Sequence, residues 1–161
     1  MVQPYVKKLF YGISQDDVEL VKHCLSKNSE IHLFTKNDVR YGYTVADYIF
    51  MKGSLRVLHF FLEKYPDNWY KGRIVRAAKK AHISLLLFMK EYDPEELKHI
   101  DEELLRFTLA HDYPHIGRSL YEFMRKHKEF ISVSPKDFEN LEDRYQKERI
   151  QSVLENRKIR L

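Results

Sequence analysis

A helical stripe of apolar residues recurs along this chain after short breaks, and that recurrence limits the fold more than any other feature. Between Leu55 and Leu62, apolar residues occupy positions 55, 57, 58, 60, 61 and 62. The pairs 57/58 and 61/62 lie four apart, on one face of a helix. The same shape stands earlier in "DDVELVKHCL", through Val18, Val21 and Leu25 with Leu20 and Cys24 beside them. It returns in "ISLLLFMK", through Leu85, Leu86 and Met89, and again in "HIGRSLYEFM", through Ile116, Leu120, Phe123 and Met124. Breaks centred on Asp16, Gly53, Ala81 and Asp112 precede these stripes, 37, 28 and 31 residues apart. A further short helical pattern lies ahead of each break. The unit is therefore a pair of helices joined by a tight turn. One pair cannot bury its apolar faces alone, so neighbouring pairs must stack and the ends must be capped. Small residues at Gly12, Ala77 and Ala78 allow adjacent helices to approach closely.

The residues themselves resemble a known repeat. "TVADYIFMKGSLRVLHFFL" is similar to the ankyrin pattern T-P-L-H-x-A-A-x-x-G-H-x-E-V-V-K-L-L-L, with Thr44, Gly53, Val57, Leu58, Phe61 and Leu62 at corresponding places. "DDVELVKHCL" matches its second half through Glu19, Leu20, Val21, Lys22 and Leu25. "AAKKAH" resembles the A-A-x-x-G-H core, with Ala81 in place of Gly. The chain departs from the pattern at Val45 (for Pro), Asp47 (for His) and Phe50 (for a small residue), and Pro114 falls where the last unit's second helix should start. The resemblance spans Pro4 to Lys128 and implies an all-α, ankyrin-like solenoid of about four helical hairpins. The expected division is a divergent repeat array over 1–131 and a C-terminal capping helix with its tail over 132–161.

Composition agrees with helices. The chain has 161 residues, about one domain's worth, and its 5 Gly and 5 Pro leave little material for a turn-rich sheet fold. "DPEE" at Asp93 to Glu96 predicts an Asp N-cap and a first-turn Pro. "SPKD" at Ser134 to Asp137 predicts a second capped start in the manner of a capping box. Phe138, Leu141, Tyr145, Val153 and Leu154 then recur at helical intervals, which predicts a helix closing the stack. The longest apolar run, Ser84 to Met89, is too short to cross a bilayer, and the N-terminus lacks the apolar region of a signal peptide. One cysteine, Cys24, excludes an intrachain disulfide and a multi-cysteine zinc site. A reducing intracellular setting, cytoplasmic or nuclear, is expected, with no membrane partner.

Catalytic signals are lacking. No nucleophile elbow, P-loop or dinucleotide fingerprint occurs. The 8 His are scattered over every unit. His111 and His115 have the spacing of zinc ligands on a helix, but Pro114 lies between them and no carboxylate stands at a fitting offset. His82 is expected to shape an inter-helix loop, as the resemblance implies. Cys24 reads as a buried thiol, and Asp16 and Asp17 as helix caps. The sequence therefore predicts neither enzyme nor cofactor nor metal.

A binding role follows from the edge where ankyrin arrays meet their partners. The resemblance carries that edge onto Arg40, Tyr41, Tyr43, Met51 and Lys52 in the second unit. It falls on Trp69, Lys71, Lys79 and Lys80 in the third, and on His111 and Tyr113 in the fourth. Aromatics and long cations suit an interface because they bury area and still present a polar end. The stretch Asn68 to His82 carries Lys71, Arg73, Arg76, Lys79 and Lys80 without one acid. It reads either as a solvated helix face or as a site for an acidic partner. The expectation is a protein-interaction module, an adaptor or an inhibitor that masks a partner's surface. A host-directed or viral effector would fit that economy. The second reading is an RNA- or DNA-binding protein that uses the basic third repeat.

Overall fold

The computed structural model describes residues 4–27, 42–104, 106 and 114–159. Six helices come in three pairs: α1 (Pro4–Ser14) and α2 (Val18–Lys27), α3 (Val45–Lys52) and α4 (Leu55–Lys64), α5 (Ile74–Lys79) and α6 (Ile83–Tyr92). A 3-10 helix, η1 (Pro94–His99), follows α6; then come α7 (Pro114–Lys126), a short 3-10 turn at Lys128–Phe130 and the long α8 (Pro135–Ile159). The fold is all-helical. Among the described residues there is no strand, only an isolated bridge between Asp101 and Ser132.

The pairs pack side by side. α1 touches α3 and α3 touches α5, so the first helices form one row; α2 touches α4 behind them. The stripes seen in the sequence are the buried faces. α4 buries Val57, Leu58, Phe61 and Leu62, and α6 buries Leu85, Leu86 and Met89. Gly12 is buried where α1 meets α2; a Cβ there would lie 3.1 Å from Val21 Cγ2, so the close approach needs a small residue.

Each pair turns on the same device. Asp16, Gly53 and Ala81 have φ of 53°, 64° and 53°, the left-handed region that ends a helix. The next residue's N–H reaches back to the last turn in each case: Asp17 to Gly12 O at 2.8 Å, Ser54 to Ile49 O at 3.1 Å and His82 to Ala77 O at 3.0 Å. These are the three breaks expected from the sequence in this region; the fourth, at Asp112, lies outside the described residues.

Side chains of one turn lock the next pair. Asp16 accepts from the N–H groups of Arg56 at 3.2 Å and Val57 at 2.9 Å, capping α4 from the preceding hairpin. Ser54 has no cap bond to its own helix and donates instead to Ile13 O. His82 Nε2 lies 2.7 Å from Met51 O, one hairpin back. Asp17 does what was expected of it and caps α2, accepting from Leu20 N at 3.1 Å. Thr44 caps α3, accepting from Asp47 N at 3.0 Å.

Three local expectations are corrected. Asp93 makes no side-chain cap bond to the helix after it, which is 3-10 rather than α; its carboxylate accepts from Tyr70 Oη at 2.8 Å. Pro114 opens α7 instead of interrupting it, because the first helical residue has no intrahelical partner for an N–H. Ser134 accepts from Asp137 N at 3.1 Å as predicted, but the Asp137 carboxylate accepts a hydrogen bond from the Ser134 hydroxyl at 2.7 Å and not from the cap N–H. The start of α8 is held by Phe138, stacked on Tyr121 at 5.8 Å. Burial, and then the Glu142 carboxylate, push the Tyr121 hydroxyl up to about 12. Farther along the expected stripe, Val153 and Leu154 are about half exposed, and the side chains of Leu141 and Tyr145 lie outside the described residues.

Candidate interaction surface

The row of first helices brings α3 and α5 together, and with them residues 25 to 33 apart in sequence. Asp47 stands in the first turn of α3, where a carboxylate complements the helix dipole. One of its oxygens lies 3.1 Å from Arg73 Nε and 3.3 Å from Arg76 Nε, across the gap to α5. Arg76 then lies over the Tyr43 ring, 5.2 Å from its centroid, and its Nη1 is 3.9 Å from Met51 Sδ. Tyr43 and Met51 are both half-buried, so the constellation is a bound edge with an open side. Lys52, at the end of α3, lies 5.4 Å over the Tyr48 ring.

The expected strip is thus partly assembled. Tyr43, Met51 and Lys52 come from one hairpin, and exposed Lys79 and Lys80 stand at the end of α5 in the next. Lys71 is exposed in the connector between α4 and α5. Arg40, Tyr41, His111 and Tyr113 lie outside the described residues.

Trp69 is a correction. It is only 7% exposed, and its ring sits 6.0 Å from Phe61, 6.1 Å from Tyr70 and 6.4 Å from Phe50. Its indole N–H donates to Tyr65 O at 2.9 Å, and its own carbonyl accepts from Arg73. An aromatic with an indole donor satisfied by backbone belongs to the core. The connector after Trp69 is fixed in the same way. Gly72, at φ 79°, donates its N–H to the buried Glu96 carboxylate at 2.7 Å.

Asp47, Arg73 and Arg76 are the residues that sequence reasoning underrated. The acid-free stretch suggested five cations in a row, yet two of them share a carboxylate from the neighbouring hairpin. The trio carries one net positive charge instead of two. The signal was present at Asp47, an acid in the first turn of α3, the helix that packs against α5.

Among the described residues, no group of three or more His, Cys, Asp or Glu is placed to hold a metal ion. Burial pushes the Cys24 thiol up, against a smaller opposing effect from Lys8, so it is a poor nucleophile near neutral pH. Among the described residues, no helix is long and apolar enough to cross a membrane. Comparison with family models, with curated proteins and with solved structures gave no match to this chain.

Proposed function

We propose that this chain is a non-enzymatic protein-interaction module, built as a divergent ankyrin-like array, that acts by covering a partner's surface. It works as an adaptor or an inhibitor. The observation that carries this reading is the edge where Tyr43, Met51 and Arg76 from two hairpins meet, flanked by Lys52, Lys79 and Lys80. An aromatic and a thioether fixed beside a guanidinium give an anchor with little entropy left to lose. Exposed lysines at the rim suit an acidic protein surface, and they set association rate more than affinity.

The Asp47 carboxylate argues against nucleic acid as the main partner, because it neutralises part of the cationic face on which phosphates would sit. The test is affinity capture from the native cell, with and without nuclease, by the wild-type chain and a Tyr43→Ala/Lys79→Glu/Lys80→Glu variant. A protein partner that survives nuclease and is lost by the variant supports the reading. Tyr43→Ala alone should weaken that partner roughly thirtyfold, the effect of an anchor of ~2 kcal/mol. A partner lost on nuclease treatment supports nucleic-acid binding instead. Binding unchanged in the variant removes this edge as the site.

A further inference from the structure

The two halves of α8 carry opposite charge. Positions 137–143 hold four acids and no cation, whereas positions 144–158 hold five Lys and Arg against two acids. Every described side chain from Asp143 to Asn156 is exposed, and among them are three aliphatic ones: Ile150, Val153 and Leu154, at 60%, 48% and 52%.

The charges are sorted around the helix axis. At about 100° per residue, Val153 falls about 60° to one side of Ile150 and Leu154 about 40° to the other. Lys147 and Lys158 take positions at about 60° and 80° on the Leu154 side, Arg149 at about 100° on the Val153 side, and Arg157 at about 20°, within the stripe. Glu148 and Glu155 are the only acids after Asp143. Both take positions about 140–160° from Ile150, on the opposite side of the helix. Upstream, Glu139, Glu142 and Asp143 fall within about 80° of the Ile150 line. One side of a continuous helix thus passes from acidic to apolar with basic flanks.

That pattern selects a partner that is both apolar and anionic. Three aliphatic side chains are too small a patch for a protein interface, which needs ~800 Å² a side. A nucleic acid would use the cations but gain nothing from the stripe, which holds no aromatic to stack on a base. An anionic bilayer surface uses both. Its acyl boundary takes the aliphatic side chains, and its headgroups take flanking cations at the ends of long stems. We propose that residues 144–158 of α8 lie in the surface of a membrane containing anionic lipid, seated through Ile150, Val153 and Leu154. Glu148 and Glu155 are on the water side. The acidic first half is repelled, which leaves Phe138 stacked on Tyr121. The expected lack of a membrane partner rested on spanning segments, and a helix of this kind lies on a bilayer without crossing it. This surface does not depend on the Tyr43 edge.

The test is co-sedimentation of the full chain with vesicles of phosphatidylcholine, alone or with about a third phosphatidylserine, at physiological ionic strength. Binding to the mixed vesicles only is expected, and it should weaken as salt rises. Val153→Asp/Leu154→Asp should lower the partition constant at least about a hundredfold. Lys147→Gln/Lys158→Gln should lower it roughly twentyfold, from about fivefold per cation. Adding Glu148→Gln/Glu155→Gln to that variant restores the net charge from the opposite side. It should not restore binding, because those positions stand about a Debye length from the lipid. A Leu154→Trp chain should gain blue-shifted emission on the mixed vesicles, over the constant signal of buried Trp69. No binding to the mixed vesicles, equal binding to phosphatidylcholine alone, or recovery by the opposite-side pair would overturn the proposal. So would tighter binding to duplex RNA than to the vesicles, which would make a phosphate backbone the partner.

Discussion

Asp16, Gly53 and Ala81 share one left-handed backbone state, and each meets it with different chemistry. Glycine has no Cβ to clash, whereas a left-handed alanine costs roughly 1 kcal/mol. Ala81→Gly should therefore stabilise the chain by about 0.5–1 kcal/mol, seen as a raised midpoint in chemical denaturation. Gly53→Ala should do the opposite and by more. Besides the backbone cost, the new Cβ would fall 2.5 Å from His82 Cγ, in the ring that reaches Met51 O. A loss of about 2 kcal/mol or more is expected. Equal effects of opposite sign would show that the His82 contact adds nothing. The asymmetry was only half legible in the sequence: the Gly-to-Ala exchange at the turn is visible, but the ring packed on Gly53 comes from the next hairpin.

At the scale of elements, α8 divides into two parts with different duties. Its first turn covers Tyr121 with Phe138, and removing residues 134–161 should cost roughly 1.5–3 kcal/mol for that side chain alone. Removing only residues 146–161 takes away side chains that are exposed wherever they are described, and should leave the melting temperature of the dilute chain unchanged. Thermal denaturation of the two truncations checks both. A large loss from the shorter deletion would mean that the distal helix packs on its own chain. The helices themselves were legible. The stripes of α4 and α6 named their buried residues, because a 3.6-residue period with one apolar face leaves few alternatives. Connectors were not. Trp69 looked like a surface anchor because it follows "PDN" and precedes Tyr and Lys. Its burial depends on Phe50 and Phe61, 19 and 8 residues away, which no local pattern reports. Asp93 likewise looked like a cap, and its partner Tyr70 lies 23 residues back. The candidate edge shared this limit, since its Tyr43–Arg76 contact joins two hairpins.

At the scale of the whole molecule, stability passes from hairpin to hairpin through contacts that cross the turns. Asp16 caps α4, Ser54 holds Ile13 O, and His82 holds Met51 O, so each pair is tied to the one before it. In a stack with nearest-neighbour coupling, breaking one tie should release the end beyond it and leave the rest. Asp16→Ala tests this. It removes the acceptor for two α4 amides and leaves a non-glycine residue in the left-handed state without its compensating bonds, a cost on the order of 1–2 kcal/mol. Native-state hydrogen exchange should show the loss as faster exchange of the amides of α1 and α2 and the first turn of α4. Amides of α5 and α6 should keep their protection, because the His82 tie and the Asp47 ion pairs are untouched. Asp16→Asn, which keeps an acceptor and tolerates the backbone, should recover most of the protection. Uniform loss across all six helices would mean that the chain unfolds as one cooperative unit, and the hairpins would then not be separable steps of stability.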